Sequence, residues 1–177
     1  MYEYEIIMTE LQVKNVVERL ATDVAADCAG RPLVVTGILK ACVHFMSDLL
    51  RALSERGVEA EIDFIECASY SGTESTGKVE CLLPPQIDCR GKYVLLVDTV
   101  LESGRTLKKA FEIYSSLGPA QIEACVLLDK DKCRKEKIEA KFVGLSAGND
   151  FIVGYGADFN QKYRNLPFVA KLVKEEK

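Results

Sequence analysis

The sequence predicts an α/β fold in which a mostly parallel central sheet is flanked by helices. Short apolar, β-branched runs alternate along the chain with longer segments whose apolar residues recur at the three-and-four spacing of a helix. Strands separated by helical segments are joined by crossovers, which place neighbouring strands parallel. Several runs are apolar at every position, which is typical of strands that are covered on both faces.

Capping residues and chain breakers set the limits of the individual elements. Thr9 and Gln12 have the spacing of a capping box, which predicts the start of the first helix, and Gly30 and Gly57 end the first two helices. The predicted elements in chain order are a helix from residue 11 to near 30, a strand at 33–38, a helix at 42–53, strands at 62–67 and 93–97, a helix at 107–117, and strands at 122–128, 142–145 and 151–155. Residues 69–77 are so rich in Ser, Thr and Gly that we expect a mobile loop or a flexible hairpin there.

Length and composition indicate one globular domain over residues 1–177. The chain is long enough to bury a core unaided, with 48% apolar residues, 28% charged residues and a net charge of −4. That mild acidity argues against a nucleic-acid surface, which normally carries a basic excess. No apolar run in the sequence is long enough for a membrane span, and the N-terminus lacks the regions of a signal peptide, so we expect a cytoplasmic protein.

Cysteine and histidine usage limits the metal and redox chemistry. The seven cysteines are odd in number and include no C-x-x-C pair, so we expect reduced, mostly buried thiols. A zinc site is not expected in a chain whose single histidine is His44. His44 lies on a predicted helix, where we expect a surface or partly packed side chain and not a catalyst.

Residues 94–107 carry the strongest functional signal in the chain. An apolar strand runs into the polar loop 102–106, and a predicted helix begins directly behind it. Consecutive backbone N–H groups and the helix dipole can then bind one phosphate, with Ser103 and Thr106 adding hydroxyl donors. Asp98, just before the loop, is suited to a ribose hydroxyl pair or a metal. The alternative is an ordinary strand-to-helix turn without a ligand.

This loop resembles the ribose-phosphate motif of the type I phosphoribosyltransferases, and further segments resemble the 6-oxopurine branch of that family. In the family's order, these segments are a pyrophosphate loop at 36–41, a catalytic lid at 69–77, a purine-contacting lysine segment at 127–130, a base-stacking and metal segment at 151–158 and an arginine motif at 163–167. Together they cover residues 33–168, and the ordered set is far more specific than any one segment. The resemblance implies a type I phosphoribosyltransferase-like fold with a flexible lid loop.

The resemblance also implies an activity. Members of this branch transfer a phosphoribosyl group from phosphoribosyl pyrophosphate to hypoxanthine or guanine, giving IMP or GMP and pyrophosphate in purine salvage. The expected cofactor is Mg²⁺, the expected assembly is a homodimer or homotetramer, and no nucleic-acid or membrane partner is expected. The reaction needs a fixed 5′-phosphate, a divalent ion on pyrophosphate and ribose oxygens, and a flat base held in line.

The resemblance assigns a role to each matching residue. The ribose and the 5′-phosphate would contact Asp98, Thr99, Glu102, Ser103, Gly104, Arg105 and Thr106, and Glu102 would be the catalytic residue at the purine N7 proton. Pyrophosphate would contact Lys40, Ala41 and Arg164, and the family often has a cis peptide bond at this lysine. The purine would contact Lys130, Phe151, Ile152 and Asp158, with Lys130 at the 6-oxo group and Phe151 stacked on the ring. Ser69 and Tyr70 would belong to the lid, and Asp98 and Asp158 to the metal site.

Some of these residues have a simpler interpretation if the family is set aside. Phe151 and Ile152 fit a core strand that needs no ligand. Lys130 lies in a run of mixed charge and Arg164 lies near the C-terminus, so both fit a solvated surface.

Three positions depart from the family's pattern. Thr99 stands in place of the second of two adjacent acidic residues, Glu102 in place of Asp, and Ala41 in place of Gly. These changes leave two outcomes open: an unusual enzyme, or a nucleotide-binding paralogue or partner subunit with weak catalysis. A regulator of the phosphoribosyltransferase type is a third possibility, against which the absence of a basic excess speaks. Asp150, beside Phe151, should repel the largely anionic xanthine.

Overall fold

The computed structural model describes residues 3–69 and 79–173, which form nine strands and three α-helices. The strands are β1 (Glu3–Met8), β2 (Leu33–Leu39), β3 (Ala60–Ser69), β4 (Val79–Leu83), β5 (Tyr93–Leu101), β6 (Gln121–Asp129), β7 (Phe142–Ser146), β8 (Ile152–Val153) and β9 (Val169–Val173). The helices are α1 (Glu10–Cys28), α2 (Val43–Glu55) and α3 (Arg105–Ser115), and a short 3₁₀-helix spans Asp131–Cys133.

Six strands form the central sheet in the order β4–β3–β2–β5–β6–β7. All neighbours pair parallel except β4, which pairs antiparallel with β3 at one edge. The predicted α/β fold with a mostly parallel sheet is therefore confirmed. Strands β2 and β5 lie in the middle because they are apolar on both faces: Val34 and Val35 are both fully buried, and so are Leu95 and Leu96.

Helices cover both faces of the central sheet. α1 and α2 pack on one face, where Leu20 joins Leu95 in one apolar cluster. α3 packs on the opposite face, where Leu107 joins Leu96 in a second cluster. Adjacent residues of β5 thus supply the two cores, as the alternating geometry of a strand requires. Within the described residues, no helix has the length and apolarity needed to cross a membrane.

A second sheet, with three strands in the order β1–β9–β8, was not predicted. β1 pairs antiparallel with β9, so that Glu3 lies opposite Val173 at the other end of the described chain. Five of the six β1 residues are exposed, so β1 lacks the apolar run by which strands are recognised. The strand predicted at 151–155 is limited to Ile152–Val153, because the chain turns at Gly154 with φ of 91°.

The segment predicted to form the lid lies almost entirely outside the described residues. Ser69 ends β3 and pairs with Val79 at the start of β4, a strand that the sequence analysis did not predict. Tyr70 and the residues up to 78 are not described, so the lid and the roles of Ser69 and Tyr70 stay predictions.

The connectivity of the central sheet brings three loops to one edge. β2 and β5 are neighbours in the middle of the sheet. The crossover after β2 leads to β3, toward one edge of the sheet, and the crossover after β5 leads to β6, toward the other edge. Ligands of open α/β sheets bind at such a switch point, beyond the carboxyl ends of the strands. The chain segments that follow β2, β5 and β6 are therefore expected to form the ligand site.

Candidate active site

A cavity of about 190 Å³ lies at the carboxyl ends of β2, β5 and β6. Its lining residues are Ala41, Asp98, Val100, Glu102, Lys130, Phe151, Ile152, Ala157 and Asp158. All of these except Val100 and Ala157 are residues to which the sequence resemblance assigns a role. A larger cavity of about 780 Å³, between α1 and α2, contains none of the residues with an assigned role. The smaller cavity is the candidate active site, because charged groups from several strands converge on it.

The loop between β5 and α3 is held by a neighbouring segment of the chain. The Ser103 carbonyl accepts hydrogen bonds from the amides of Lys135 (3.0 Å) and Glu136 (3.1 Å). The Arg134 guanidinium donates to the Glu102 carbonyl (3.2 Å). These contacts fix the backbone of the predicted phosphate loop before any ligand binds.

Gly104 is required by the geometry at the start of α3. Its φ of 81° is in the left-handed region that favours glycine, and a Cβ there would lie 2.5 Å from Ile138 Cγ2. A side chain at Gly104 would therefore disturb packing as well as any bound phosphate. α3 begins at Arg105, and the first N–H groups of a helix have no partner within the helix. With Ser103 and Thr106 at the same helix end, the loop keeps the anion-binding features that the sequence predicts.

Glu102 and Lys130 form an ion pair in the cavity wall, with 3.1 Å between Lys130 Nζ and Glu102 Oε2. Lys130 is only 4% exposed, whereas the Glu102 side chain is 57% exposed. The Lys130 amide donates to the Leu101 carbonyl (2.9 Å), which ties the end of β6 to the end of β5. Because a buried ammonium needs a charged or polar partner, Lys130 is not the solvated surface lysine of the simpler interpretation.

Asp98 is a partly buried carboxylate in the same wall. Its Oδ1 accepts a hydrogen bond from the Thr99 amide (2.7 Å). Burial raises the pKa of Asp98 to about 7, and hydrogen bonds from the amides of Thr99 and Val100 offset part of this effect. Burial, and secondly the Asp98 charge, raise the pKa of the Cys42 thiol to about 12. Burial therefore favours the neutral form of the Asp98 carboxyl in the free protein.

Thr99 holds the loop after β2 in place. The residue is fully buried, and its Oγ1 donates to the Ala41 carbonyl (2.8 Å). Gly156, with φ of 100°, approaches the same carbonyl so closely that there is no room for a Cβ. Thr99 does not line the cavity, and its hydroxyl is engaged by Ala41. A ribose contact of Thr99 stays a prediction.

The predicted pyrophosphate loop has the geometry that its resemblance implies. The Leu39–Lys40 peptide bond is cis. Lys40 is exposed and does not line the cavity, whereas Ala41 does. Ala41 is not among the described residues with positive φ, so its backbone does not require glycine. The departure from Gly to Ala is therefore compatible with this loop.

Asp158 and Arg164 form a second ion pair, with 2.7 Å between Arg164 Nη2 and Asp158 Oδ1. Arg164 Nη1 also donates to the Gly156 carbonyl (2.7 Å), and the Gln161 amide donates to Asp158 Oδ2 (2.8 Å). Arg164 therefore fixes the turn that carries Asp158. Arg164 does not itself line the cavity, and its contact with pyrophosphate stays a prediction.

The acidic residues of the cavity suit a metal that the substrate helps to hold. Among the residues that the structure describes, no group of three His, Cys, Asp or Glu side chains forms a complete metal site. Mg²⁺ usually takes one or two carboxylates, several waters and substrate phosphates. Asp98 and Asp158, which line one cavity, fit an ion of this kind and not a cage made by the protein alone.

Phe151 and Ile152 form the apolar wall of the cavity. Phe151 is 52% exposed and meets Phe159 edge to face, with 5.5 Å between ring centroids, whereas Ile152 is buried. A ring that is half exposed is available for stacking, unlike the ring of a core strand residue. The sequence analysis missed Phe159, Val100 and Ala157. Each is adjacent to a residue with an assigned role, and this adjacency is the signal that could have found them.

Comparison with known proteins identifies the family. A family model described as phosphoribosyl transferase domain matches residues 3–160. The chain belongs to the phosphoribosyltransferase family. A protein of Staphylococcus aureus named hypoxanthine-guanine phosphoribosyltransferase is 40% identical over 97% of this chain and 94% of its own length. A protein of the same name from Staphylococcus epidermidis is 39% identical over 96% of this chain and 94% of its own length. The resemblance to the 6-oxopurine branch is therefore confirmed.

Solved structures of this branch share the fold of the chain. A crystal structure of a hypoxanthine phosphoribosyltransferase from Staphylococcus aureus superposes with a TM-score of 0.89 at 39% identity, covering 96% of this chain and 91% of that one. A crystal structure of a hypoxanthine-guanine phosphoribosyltransferase from Bacillus anthracis superposes with a TM-score of 0.89 at 35% identity, covering 97% of this chain and 99% of that one. The predicted type I phosphoribosyltransferase fold is therefore confirmed.

The raised pKa of Asp98 predicts a pH-dependent stability of the free protein. The folded state disfavours the ionised carboxylate, so the destabilisation is absent below the ordinary pKa of 3.8, grows as the pH rises to about 7, and is complete above it. Asp98→Asn removes this contribution. The variant's advantage in unfolding free energy over the parent should therefore grow by roughly 2–3 kcal/mol between about pH 5 and about pH 8.

Chemical denaturation in magnesium-free buffer at the two pH values measures this difference. Asp150→Asn, at an exposed carboxylate, is the matched control and should show no such growth. An Asp98→Asn variant with the same advantage at both pH values would contradict the raised pKa.

Proposed function

We propose that this chain is a hypoxanthine-guanine phosphoribosyltransferase, which transfers the phosphoribosyl group of phosphoribosyl pyrophosphate to hypoxanthine or guanine. The products are IMP or GMP and pyrophosphate, a reaction of purine salvage. The observation that carries the proposal is the Glu102–Lys130 ion pair, which shares one cavity with the exposed ring of Phe151. Relatives of that name, 40% identical over nearly the whole chain, support it.

The ion pair offers the base one acceptor and one donor, 3.1 Å apart. On one edge a 6-oxopurine presents the O6 acceptor beside N7, so Lys130 can donate to O6 while Glu102 accepts the N7 proton. Adenine presents an amino group in place of O6, and two donors would then face each other. Since a buried ammonium that loses its acceptor is costly, this pair favours 6-oxopurines over 6-aminopurines.

Glu102 would act as the general base of the transfer. The purine reacts as its N7–H tautomer: the N9 lone pair forms a bond to C1′ of the ribose, and the bond from C1′ to the pyrophosphate oxygen breaks. Glu102 then takes the N7 proton, which removes the positive charge that bond formation brings to the ring. Pairing with Lys130 restrains the glutamate side chain, and such restraint matters because small displacements of a catalytic group are costly.

The loops around the cavity would bind the two phosphate-bearing ends of the substrate. The 5′-phosphate would lie at the start of α3, where the backbone N–H groups of the first turn lie beside the hydroxyls of Ser103 and Thr106. The pyrophosphate would lie over the cis peptide loop, in reach of the exposed Lys40 and the backbone of Ala41. This division leaves the 190 Å³ cavity for the base, which suits its small volume.

We infer that Mg²⁺ is the cofactor and that Asp98 and Asp158 hold it together with substrate oxygens. When bound, such an ion neutralises negative charge that builds on the departing pyrophosphate. Asp98 must be ionised to take part, and with a pKa of about 7 it gains its charge as the pH rises through neutrality.

The proposal also covers the oligomeric state and the cellular location of the protein. Residues 1–177 would act as one domain in a cytoplasmic homodimer or homotetramer. The net charge of −4 supports the absence of a nucleic-acid partner.

The proposal predicts a specific order of substrates. With phosphoribosyl pyrophosphate and Mg²⁺, hypoxanthine and guanine should be converted to nucleotides, because both present O6 to Lys130. Adenine should not react, and xanthine should react poorly because it is largely anionic near Asp150 and Glu102. Chromatography of the products, with each base offered separately and with a magnesium-free control, measures this order.

The same assay distinguishes the enzyme from the alternative. A nucleotide-binding paralogue or partner subunit would bind GMP in calorimetry yet form no nucleotide from any base. Comparable efficiency on all four bases would contradict the recognition role given to Lys130.

Glu102→Gln tests the general base. The amide keeps the shape of the side chain and can still accept a hydrogen bond from Lys130, but it cannot take a proton. We expect kcat to fall by about a hundredfold or more, while the affinity for GMP changes little. Glu112→Gln, on the exposed side of α3, is the matched control and should behave as the parent. If Glu102→Gln turned over at the parent's rate, another group would have to handle the N7 proton.

Thr99→Val tests the positioning of the pyrophosphate loop. The variant keeps the shape of Thr99 but leaves the partly buried Ala41 carbonyl without its donor, which costs roughly 1 kcal/mol. We expect the KM for phosphoribosyl pyrophosphate to rise about tenfold with a smaller change in kcat. Thr99→Ser retains the hydroxyl and should stay near the parent. Equal behaviour of the Val and Ser variants would show that this hydrogen bond does not position the loop.

A further inference from the structure

Two cysteines face each other across the edge of the central sheet. Cys67 in β3 and Cys81 in β4 are direct partners in the antiparallel register. Both side chains are partly buried and therefore partly accessible. Neither lines the candidate active site.

Direct cross-strand partners lie at a separation that a disulfide can span. Partners that lie directly opposite project to the same face of the sheet, with Cα atoms about 4.5–5.5 Å apart, and disulfides span Cα distances of about 4.4–6.8 Å. The Cys81 thiol is close enough to affect the pKa of Cys67, and Cys81 Sγ donates to the Leu83 carbonyl (3.2 Å). Both side chains pack beside the apolar cluster under α3, which restricts their movement.

The other five cysteines lack this arrangement. Cys28, Cys42, Cys89 and Cys125 are buried, and Cys133 is partly buried with its sulfur 3.5 Å from Asn149 Oδ1. Cys125 lies opposite Val97 and Phe142 in the sheet, not opposite a cysteine. Within the described residues, which include all seven cysteines, Cys67 and Cys81 are the cysteine pair that shares a strand register.

We propose that Cys67 and Cys81 are an oxidation site, which hydrogen peroxide converts to an intramolecular disulfide that joins β3 to β4. One thiolate attacks a peroxide oxygen, giving a sulfenic acid and water. The second thiolate displaces the hydroxyl of the sulfenic acid as a second water. Two electrons pass from the two sulfurs to one peroxide, and the S–S bond replaces two S–H bonds.

Burial, and secondly the neighbouring Cys81, raise the pKa of the Cys67 thiol to about 11. Cys67 therefore carries little thiolate at neutral pH and is a poor first nucleophile. Its expected part in the reaction is to resolve a sulfenic acid that has formed at its cross-strand partner.

Treatment of the full chain with hydrogen peroxide, followed by removal of the oxidant, tests the proposal. The thiol count in denaturant should fall from seven to five, and the intact mass should fall by two hydrogen atoms. A non-reducing peptide map should show Cys67 joined to Cys81, and dithiothreitol should restore all thiols. Cys67→Ser and Cys81→Ser should each lose this bond, whereas Cys133→Ser should form it as the parent does.

Amide hydrogen exchange measures the effect on the edge strand. Oxidation should slow exchange in Val79–Leu83 of the parent but not of Cys67→Ser, because the bond prevents β4 from separating from β3. A disulfide between other cysteines, oxygen addition at single cysteines, or unchanged exchange after the bond has formed would each overturn the proposal. Phosphoribosyl transfer is assayed separately and is not needed for this test.

Discussion

The hydrogen bond from Thr99 Oγ1 to the Ala41 carbonyl connects the parts of the molecule on which the site depends. Thr99 belongs to β5, Ala41 follows β2, and Gly156 from the turn after β8 closes on the same carbonyl oxygen. Three segments far apart in the sequence therefore meet at one backbone carbonyl. A partly buried carbonyl that loses its donor is costly, so this junction sets the spacing between the central sheet, the pyrophosphate loop and the turn that carries Asp158.

The Glu102–Lys130 pair extends that arrangement to the chemistry. Lys130 is almost fully buried, and an unpaired ammonium in such a place would be strongly destabilising. Glu102 thus stabilises Lys130 in the free protein. In the proposed complex, Lys130 would keep this ion pair while a second N–H of its ammonium donates to the purine O6. A base without O6 would leave that donor facing an amino group.

Much of the fold could be predicted because its signals are local. The β2 and β5 strands are mostly apolar, and α1 begins with the predicted capping box, both of whose hydrogen bonds are formed. β1 could not be predicted, since it is mostly exposed and is defined by pairing with β9 at the other end of the chain. At the site, the ordered motifs identified most residues of the cavity. The engagement of Thr99 by Ala41 was not visible, because it depends on how closely two distant backbones approach.

The presence of threonine at position 99 follows from this geometry. A carboxylate in place of Thr99 would face the Ala41 carbonyl, two acceptors without a proton between them, in a fully buried position. Threonine supplies the donor that this junction needs and leaves Asp98 without an acidic neighbour in the chain. Burial alone then places the charge of Asp98 near neutrality, without a second acid to raise its pKa further. Exchange of Thr99 for an acid would therefore require the pyrophosphate loop to move, and would not simply restore a lost ligand.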